Sequence, residues 1–210
     1  LQISQDHATV QKAGISACPE GNSANTEVWI SHNIVRATAL GGRIGIDLMG
    51  NMNGGLYYVY NNIVYDFINY AAGIFIYRAD SLIPSDTIAY VYNNTVYNCL
   101  QGIYGTPAGK LLYAKNNIAY SCNTPGLTFR SGYEPDSDYN ITDDTSTTGG
   151  ANDVTEATLY FNSEVGKDFR LAPEDMEARD TGEDLSSDVT LAFATDRKST
   201  RLNSSHIAVS

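Results

Sequence analysis

The sequence predicts an all-β solenoid: short parallel strands wound into about five stacked coils, followed by a less regular acidic segment. Three observations lead there. A motif ending in asparagine recurs along the chain. The residues before it alternate with the two-residue period of a strand. The middle of the chain is dominated by Tyr, Val, Ile, Thr, Asn and Gly, which favour strands and turns over helices.

The copies run Val28-Trp29-Ile30-Ser31-His32-Asn33, Tyr57-Tyr58-Val59-Tyr60-Asn61-Asn62, Ala89-Tyr90-Val91-Tyr92-Asn93-Asn94 and Leu112-Tyr113-Ala114-Lys115-Asn116-Asn117, with a degenerate copy ending at Asn140. The final asparagines are 29, 32, 23 and 23 residues apart. Each is followed by a β-branched or small pair, such as Ile34-Val35 or Ile63-Val64. The first four copies then reach a glycine and an aliphatic residue: Gly45-Ile46, Gly73-Ile74, Gly102-Ile103 and Gly126-Leu127. Residues 8–15, ending Gly14-Ile15, read as a truncated earlier copy without the asparagine. Uneven spacing implies loop insertions, the clearest at 78–86. One coil of this length cannot bury its apolar face alone, so coils must stack. Leucine-rich repeats need regularly placed leucines, which are missing, and no stretch shows the 3.6-residue period of a helical repeat.

Asn-x-Val followed by Gly-Ile resembles the right-handed parallel β-helix family, the pectate-lyase-like superfamily of secreted bacterial proteins, over residues 1–142. The resemblance implies an asparagine ladder on an inner turn, which Asn33, Asn62, Asn94, Asn117 and Asn140 fit. An amide suits that place because it both donates and accepts where water cannot reach the backbone. The stretch 167–173 followed by Asp180-Thr181-Gly182 resembles the closing segment of such proteins, so 143–195 is read as a C-terminal coil and cap. Residues 196–206 resemble a translated sequencing-library adapter. They are set aside as a non-native tail, 196–210, with the natural chain expected to continue differently after Thr195.

Charge follows the same division. The net charge is -11, yet residues 1–130 are neutral, 131–195 carry -13 and 196–210 carry +2. That balance disfavours nucleic acid as a partner. With 42% hydrophobic and 18% charged residues the chain is not of the disordered class, and it has no apolar run long enough to span a membrane. The resemblance implies a secreted or cell-surface location, with any signal peptide upstream.

Stacking turns sequence columns into surface files. Alternation points Val28/Ile30, Tyr57/Val59, Ala89/Val91 and Leu112/Ala114 inward. It points Trp29, Tyr58, Tyr90 and Tyr113 outward, and likewise Ser31, Tyr60, Tyr92 and Lys115. After Gly-Ile, Ile74 and Ile76 point in while Phe75 and Tyr77 point out, with Asp47, Tyr104 and Thr128 aligned to Phe75. A linear file of aromatics suits a linear polysaccharide; the same residues also have high β-propensity and pair across strands without any ligand. Tyr65, Tyr97 and Tyr120 make a further file, read as packing.

Reactive groups are sparse. Cys99 and Cys122 share a column, as stacked thiols or as a disulfide, and Cys18 has no evident partner. His32 falls in a column with Asn61, Asn93 and Asn116 and is read as a turn residue. Lyases of the resembled family use a basic residue, often beside calcium held by carboxylates. Arg43, Asp47, Arg78 and Asp80 are the charged residues nearest the Gly-Ile strands, without a residue-by-residue match to that cluster. No nucleophile elbow or Ser-His-Asp order occurs, so no catalytic residue is assigned. The pairs around Asp136-Ser137-Asp138, Asp143-Asp144 and Asn152-Asp153 are oxygen-rich enough for calcium but lack an EF-hand loop, so no metal or cofactor is assigned. The expectation is a β-helix module contacting polysaccharide through its aromatic side. The rivals are a polysaccharide lyase or glycoside hydrolase fragment and a non-catalytic adhesin or spacer.

Overall fold

The computed structural model describes residues 2–5, 12–17, 26–38, 42–49, 55–69, 72–77, 87–105, 110–124, 127–130 and 132–188. His7, Cys18, Arg78, Asp80, Gly126 and the tail 196–210 lie outside these residues, as does the side chain of Tyr77.

The chain is a parallel β-helix. The first described strands are β1 (Gln2–Gln5) and β2 (Lys12–Ser16). Three-strand coils follow: β3 (Glu27–Ser31), β4 (Ile34–Ala37) and β5 (Gly42–Met49), then β6 (Leu56–Tyr60), β7 (Ile63–Tyr65) and β8 (Ile74–Tyr77). Next come β9 (Thr87–Tyr92), β10 (Thr95–Tyr97) and β11 (Ile103–Gly105), then β12 (Lys110–Lys115), β13 (Ile118–Tyr120) and β14 (Phe129–Arg130). The chain then adds β15 (Ile141–Thr142) and an antiparallel pair, β16 (Phe161–Ser163) with β17 (Asp168–Leu171). Sheet one runs β1-β4-β7-β10-β13-β15, sheet two β2-β5-β8-β11-β14 and sheet three β3-β6-β9-β12, every neighbour parallel.

The asparagine ladder forms as the repeat predicts. Each side-chain amide donates to the next Oδ1: Asn33 to Asn62 at 3.0 Å, Asn62 to Asn94 at 3.0 Å, Asn94 to Asn117 at 3.0 Å and Asn117 to Asn140 at 2.9 Å. The same oxygens accept the backbone N–H of the preceding rung at 3.0–3.1 Å. The residue before each rung (His32, Asn61, Asn93, Asn116, Tyr139) has φ between 55° and 58°, a left-handed corner that asparagine tolerates well. A second corner four residues beyond the ladder uses Asp66, Asn98 and Ser121, again at positive φ, with Asn98 Nδ2 donating to Asp66 at 2.7 Å.

Inside the coils, Ile30, Val35, Ile46, Tyr57, Val59, Val64, Ile74, Val91, Val96 and Ile103 share one continuous apolar core. The glycines of the Gly-Ile motif exist because of that core. A Cβ on Gly14, Gly45 or Gly73 would overlap the Cγ1 of Val35, Val64 or Val96, the valine of the Asn-x-Val motif one coil further on. The two halves of the repeat are thus one packing unit.

The last glycine pair corrects the sequence alignment. Ile103 registers with Phe129, not Leu127, so Thr128 falls in the glycine column and Arg130, rather than Thr128, joins the Phe75 and Tyr104 file.

The acidic segment does two things. Its first part closes the end of the solenoid, where the last coil has backbone N–H groups and no following coil to accept them. Asn140 N donates to Asp153 at 2.8 Å, Ser121 N to Asp143 at 2.9 Å and Thr128 N to Asp144 at 3.3 Å. Asp138, Asp143, Asp144 and Asp153, of the oxygen-rich pairs, serve as protein hydrogen-bond acceptors. Its second part folds back along the outside of sheet one. Leu159, Phe161, Phe169 and Ala178 bury Ile63, Tyr65, Tyr97 and Ile118. This is why β7 and β10 are buried on both faces.

Candidate functional site

The outer face of sheet three carries the predicted aromatic file in the predicted register. Trp29, Tyr58, Tyr90 and Tyr113 are cross-strand neighbours, as are Ser31, Tyr60, Tyr92 and Lys115. Trp29 stacks on Tyr58 at 4.0 Å, Tyr58 on Tyr90 at 5.5 Å and Tyr90 on Tyr113 at 5.2 Å, with planes within 21° of parallel. Rings stacked face to face stand upright on the sheet, so within the row their faces meet one another and their edges point outward. The end of the row differs. Trp29 lies on β3, an edge strand of sheet three among the described residues, and is 51% exposed. Its indole N–H reaches Glu27 Oε2 at 3.2 Å, and Tyr60 meets it edge-on at 6.2 Å. His32 meets Tyr60 edge-on at 5.5 Å and its Nε2 lies 3.2 Å from the Asn61 amide, inside the turn column the sequence places it in.

The file points away from the coils, but it is not uniformly open. Tyr58 is 7% and Tyr92 only 2% exposed. Tyr58 is sandwiched between Trp29 and Tyr90, and both it and Tyr92 share a cluster with Leu185, in a 3-10 turn (Leu185–Ser187) that sequence reasoning did not connect to this face. Beside it Glu183 pairs with Lys115 at 3.0 Å, and its backbone exchanges hydrogen bonds with the Asn116 side chain at 2.9 and 3.0 Å. Burial raises the phenol pKa of Tyr92 far above its ordinary value. Burial also raises those of Tyr58 and Tyr113, each helped by a nearby glutamate, so these hydroxyls stay neutral donors and acceptors.

Sheet two carries a further outward file that includes aromatics. Phase along the strands puts Asp47, Phe75, Tyr104 and Arg130 in one file. Phe75 and Tyr104 are 5.0 Å apart, and the exposed Arg130 lies over Tyr104 at 4.5 Å. Asp47 is buried. Arg43 sits at the bulge where β2 and β5 slip register, between the partners of Lys12 and Ala13. Four residues of strand separate it from Asp47, about 13 Å. The structure does not bring these two into one cluster.

Cys99 and Cys122 are free thiols in adjacent coils, with Asn123 N donating to the Cys99 carbonyl at 2.8 Å. Burial raises both thiol pKa values, that of Cys122 to about 12, so neither is an activated nucleophile. Among the described residues no three His, Cys, Asp or Glu side chains are grouped to hold a metal ion, and no helix is long and apolar enough to cross a membrane. Comparison with protein-family models, curated proteins and solved structures returned no match, so the fold is established by geometry alone.

Proposed function

We propose that this chain is a module of an extracellular or cell-surface β-helix protein of the pectate-lyase-like kind, and that it holds a polysaccharide against the outer face of sheet three. The observation that carries the reading is the half-exposed Trp29, stacked at 4.0 Å on a continuous row of tyrosines and sited on an edge strand of its sheet among the described residues. An indole with one face anchored and much of its surface open is a suitable platform for a sugar ring. Tyr60, Tyr90 and Tyr113 offer partly exposed surface alongside it, while Tyr58 and Tyr92 act as the supports beneath.

Trp29 is the only tryptophan, so its emission reports on the site directly. Titration with pectate, alginate and hydroxyethyl cellulose should shift or quench that emission for at least one polymer. In Trp29→Ala, affinity electrophoresis on the same polymer should show retardation lost. A flat response to all three, with unretarded wild-type protein, overturns the reading.

A further inference from the structure

We propose that residues 183–188 are a displaceable strap that occupies the aromatic face of sheet three and competes with whatever binds there. The apolar part of the attachment is concentrated at one residue. Leu185 is 1% exposed and is the one apolar side chain the stretch inserts among Tyr58, Tyr92 and their neighbours. Glu183 adds an ion pair to Lys115 and two backbone hydrogen bonds to the Asn116 side chain, and the Asp188 carboxylate acts on Tyr92 electrostatically. The 3-10 turn around Leu185 is stabilised from within, by Asp184 accepting from Ser186 N at 3.0 Å, so it can leave the face as a formed unit.

Contrast the stretch just before it. Residues 157–178 cover sheet one with Leu159, Phe161, Phe169 and Ala178, four buried apolar anchors tied by a strand pair. A segment with one buried apolar anchor, its ion pair made by partly exposed partners, opens at lower free energy than one anchored by an apolar cluster. What opening uncovers is specific. Tyr92, Tyr58 and Lys115 are outward residues of the same face, in the same files as Tyr60, Tyr90 and Tyr113, and Asn116 is the corner residue beside Lys115. Strap and ligand therefore share one surface, and binding of one must weaken the other.

The competition rests on the glycan reading; the displaceability does not, and the experiment separates them. Hydrogen exchange on the full chain should show the amides of 183–188 exchanging at least ten-fold faster than those of Asn94 and Asn117. Leu185→Ser, with Glu183→Gln as a milder variant, should tighten binding of the polymer that moves Trp29 emission by three-fold or more. It should leave the exchange of the ladder amides unchanged. Strap and ladder amides exchanging together, or Leu185→Ser accelerating the ladder, overturns the strap as a separate unit. Unchanged affinity in Leu185→Ser, with a wild type that binds, overturns the competition. If no polymer binds either protein the glycan reading falls, and the exchange rates alone decide the strap.

Discussion

Asn140, the last rung of the asparagine ladder, gives its backbone N–H to Asp153 Oδ1 at 2.8 Å and its side-chain amide to the same oxygen at 3.3 Å. The other carboxylate oxygen accepts Thr147 Oγ1 at 2.6 Å and Thr148 N at 2.8 Å. A carboxylate thus takes the place a sixth asparagine would occupy, and ends the stack. Asp153→Ala should lower unfolding free energy by about 2 kcal/mol, since it leaves ladder donors unmet. Asp153→Asn should fall between, because an amide restores the oxygen facing Asn140 but turns its NH2 toward the Thr148 N–H. By comparison Asn94→Ala, at a fully buried rung, should cost about 3–5 kcal/mol. It removes donors to Val59 O, Tyr92 O and Asn117 Oδ1, and the acceptor for Asn62. Urea titration of the three variants gives the order.

Gly73 and Val96 make a second test. A methyl group on Gly73 would run into Val96 Cγ1, while its other neighbours, Cys99 Sγ and Gly102 O, would sit at 3.2 Å. Gly73→Ala alone should cost about 2–3 kcal/mol by overpacking, and Val96→Ala alone about 2 kcal/mol by leaving a void. In the double variant the new methyl fills part of that void, so the combined cost should fall short of the sum by about 1 kcal/mol or more. Strict additivity in urea melts would show that the repeat's two halves do not pack as one unit.

The capping carboxylates give stability a pH dependence of mixed sign. Burial pushes Asp138 up, but hydrogen bonds from the Asn152 side chain and backbone, Tyr139 N and the charge of Lys115 outweigh it and hold its pKa below the ordinary value. Its contribution is present above that ordinary value of 3.8 and is lost as pH falls through the lower, folded-state value. Asp143 is the reverse: burial raises its pKa despite the bond from Ser121 N. Its contribution is full below 3.8 and declines as pH rises through the raised value. Thermal midpoints from pH 2 to 7 should show Asp138→Asn flattening the acid limb. Asp143→Asn should instead gain relative to wild type on the neutral side.

Much of this molecule was legible in its residues. The ladder, the inward files of sheet three and the turn role of His32 follow from repetition: once Asn33, Asn62, Asn94 and Asn117 are aligned, stacking puts like beside like. The alignment slipped where the repeat decays: at the first copy, read as 8–15, whose sheet-one strand is Gln2–Gln5, and at Thr128 and Phe129, because a two-residue shift is invisible when the glycine it hangs on is displaced.

What the sequence by itself determined is the coil: its strands, its corners, and which side chains point into it. What only the tertiary structure decided is which outward faces meet solvent. Tyr97 is closed over by a segment that bonds it through Glu164, 67 residues away, and Asn116 is held by Glu183, also 67 residues away. Sheet one is covered, sheet three is partly strapped, and Trp29 stays open. The physical reason is range. Alternation and stacking act between neighbours along a strand or between adjacent coils, and so leave a period in the sequence. The closing segment makes each of its contacts once, and leaves none.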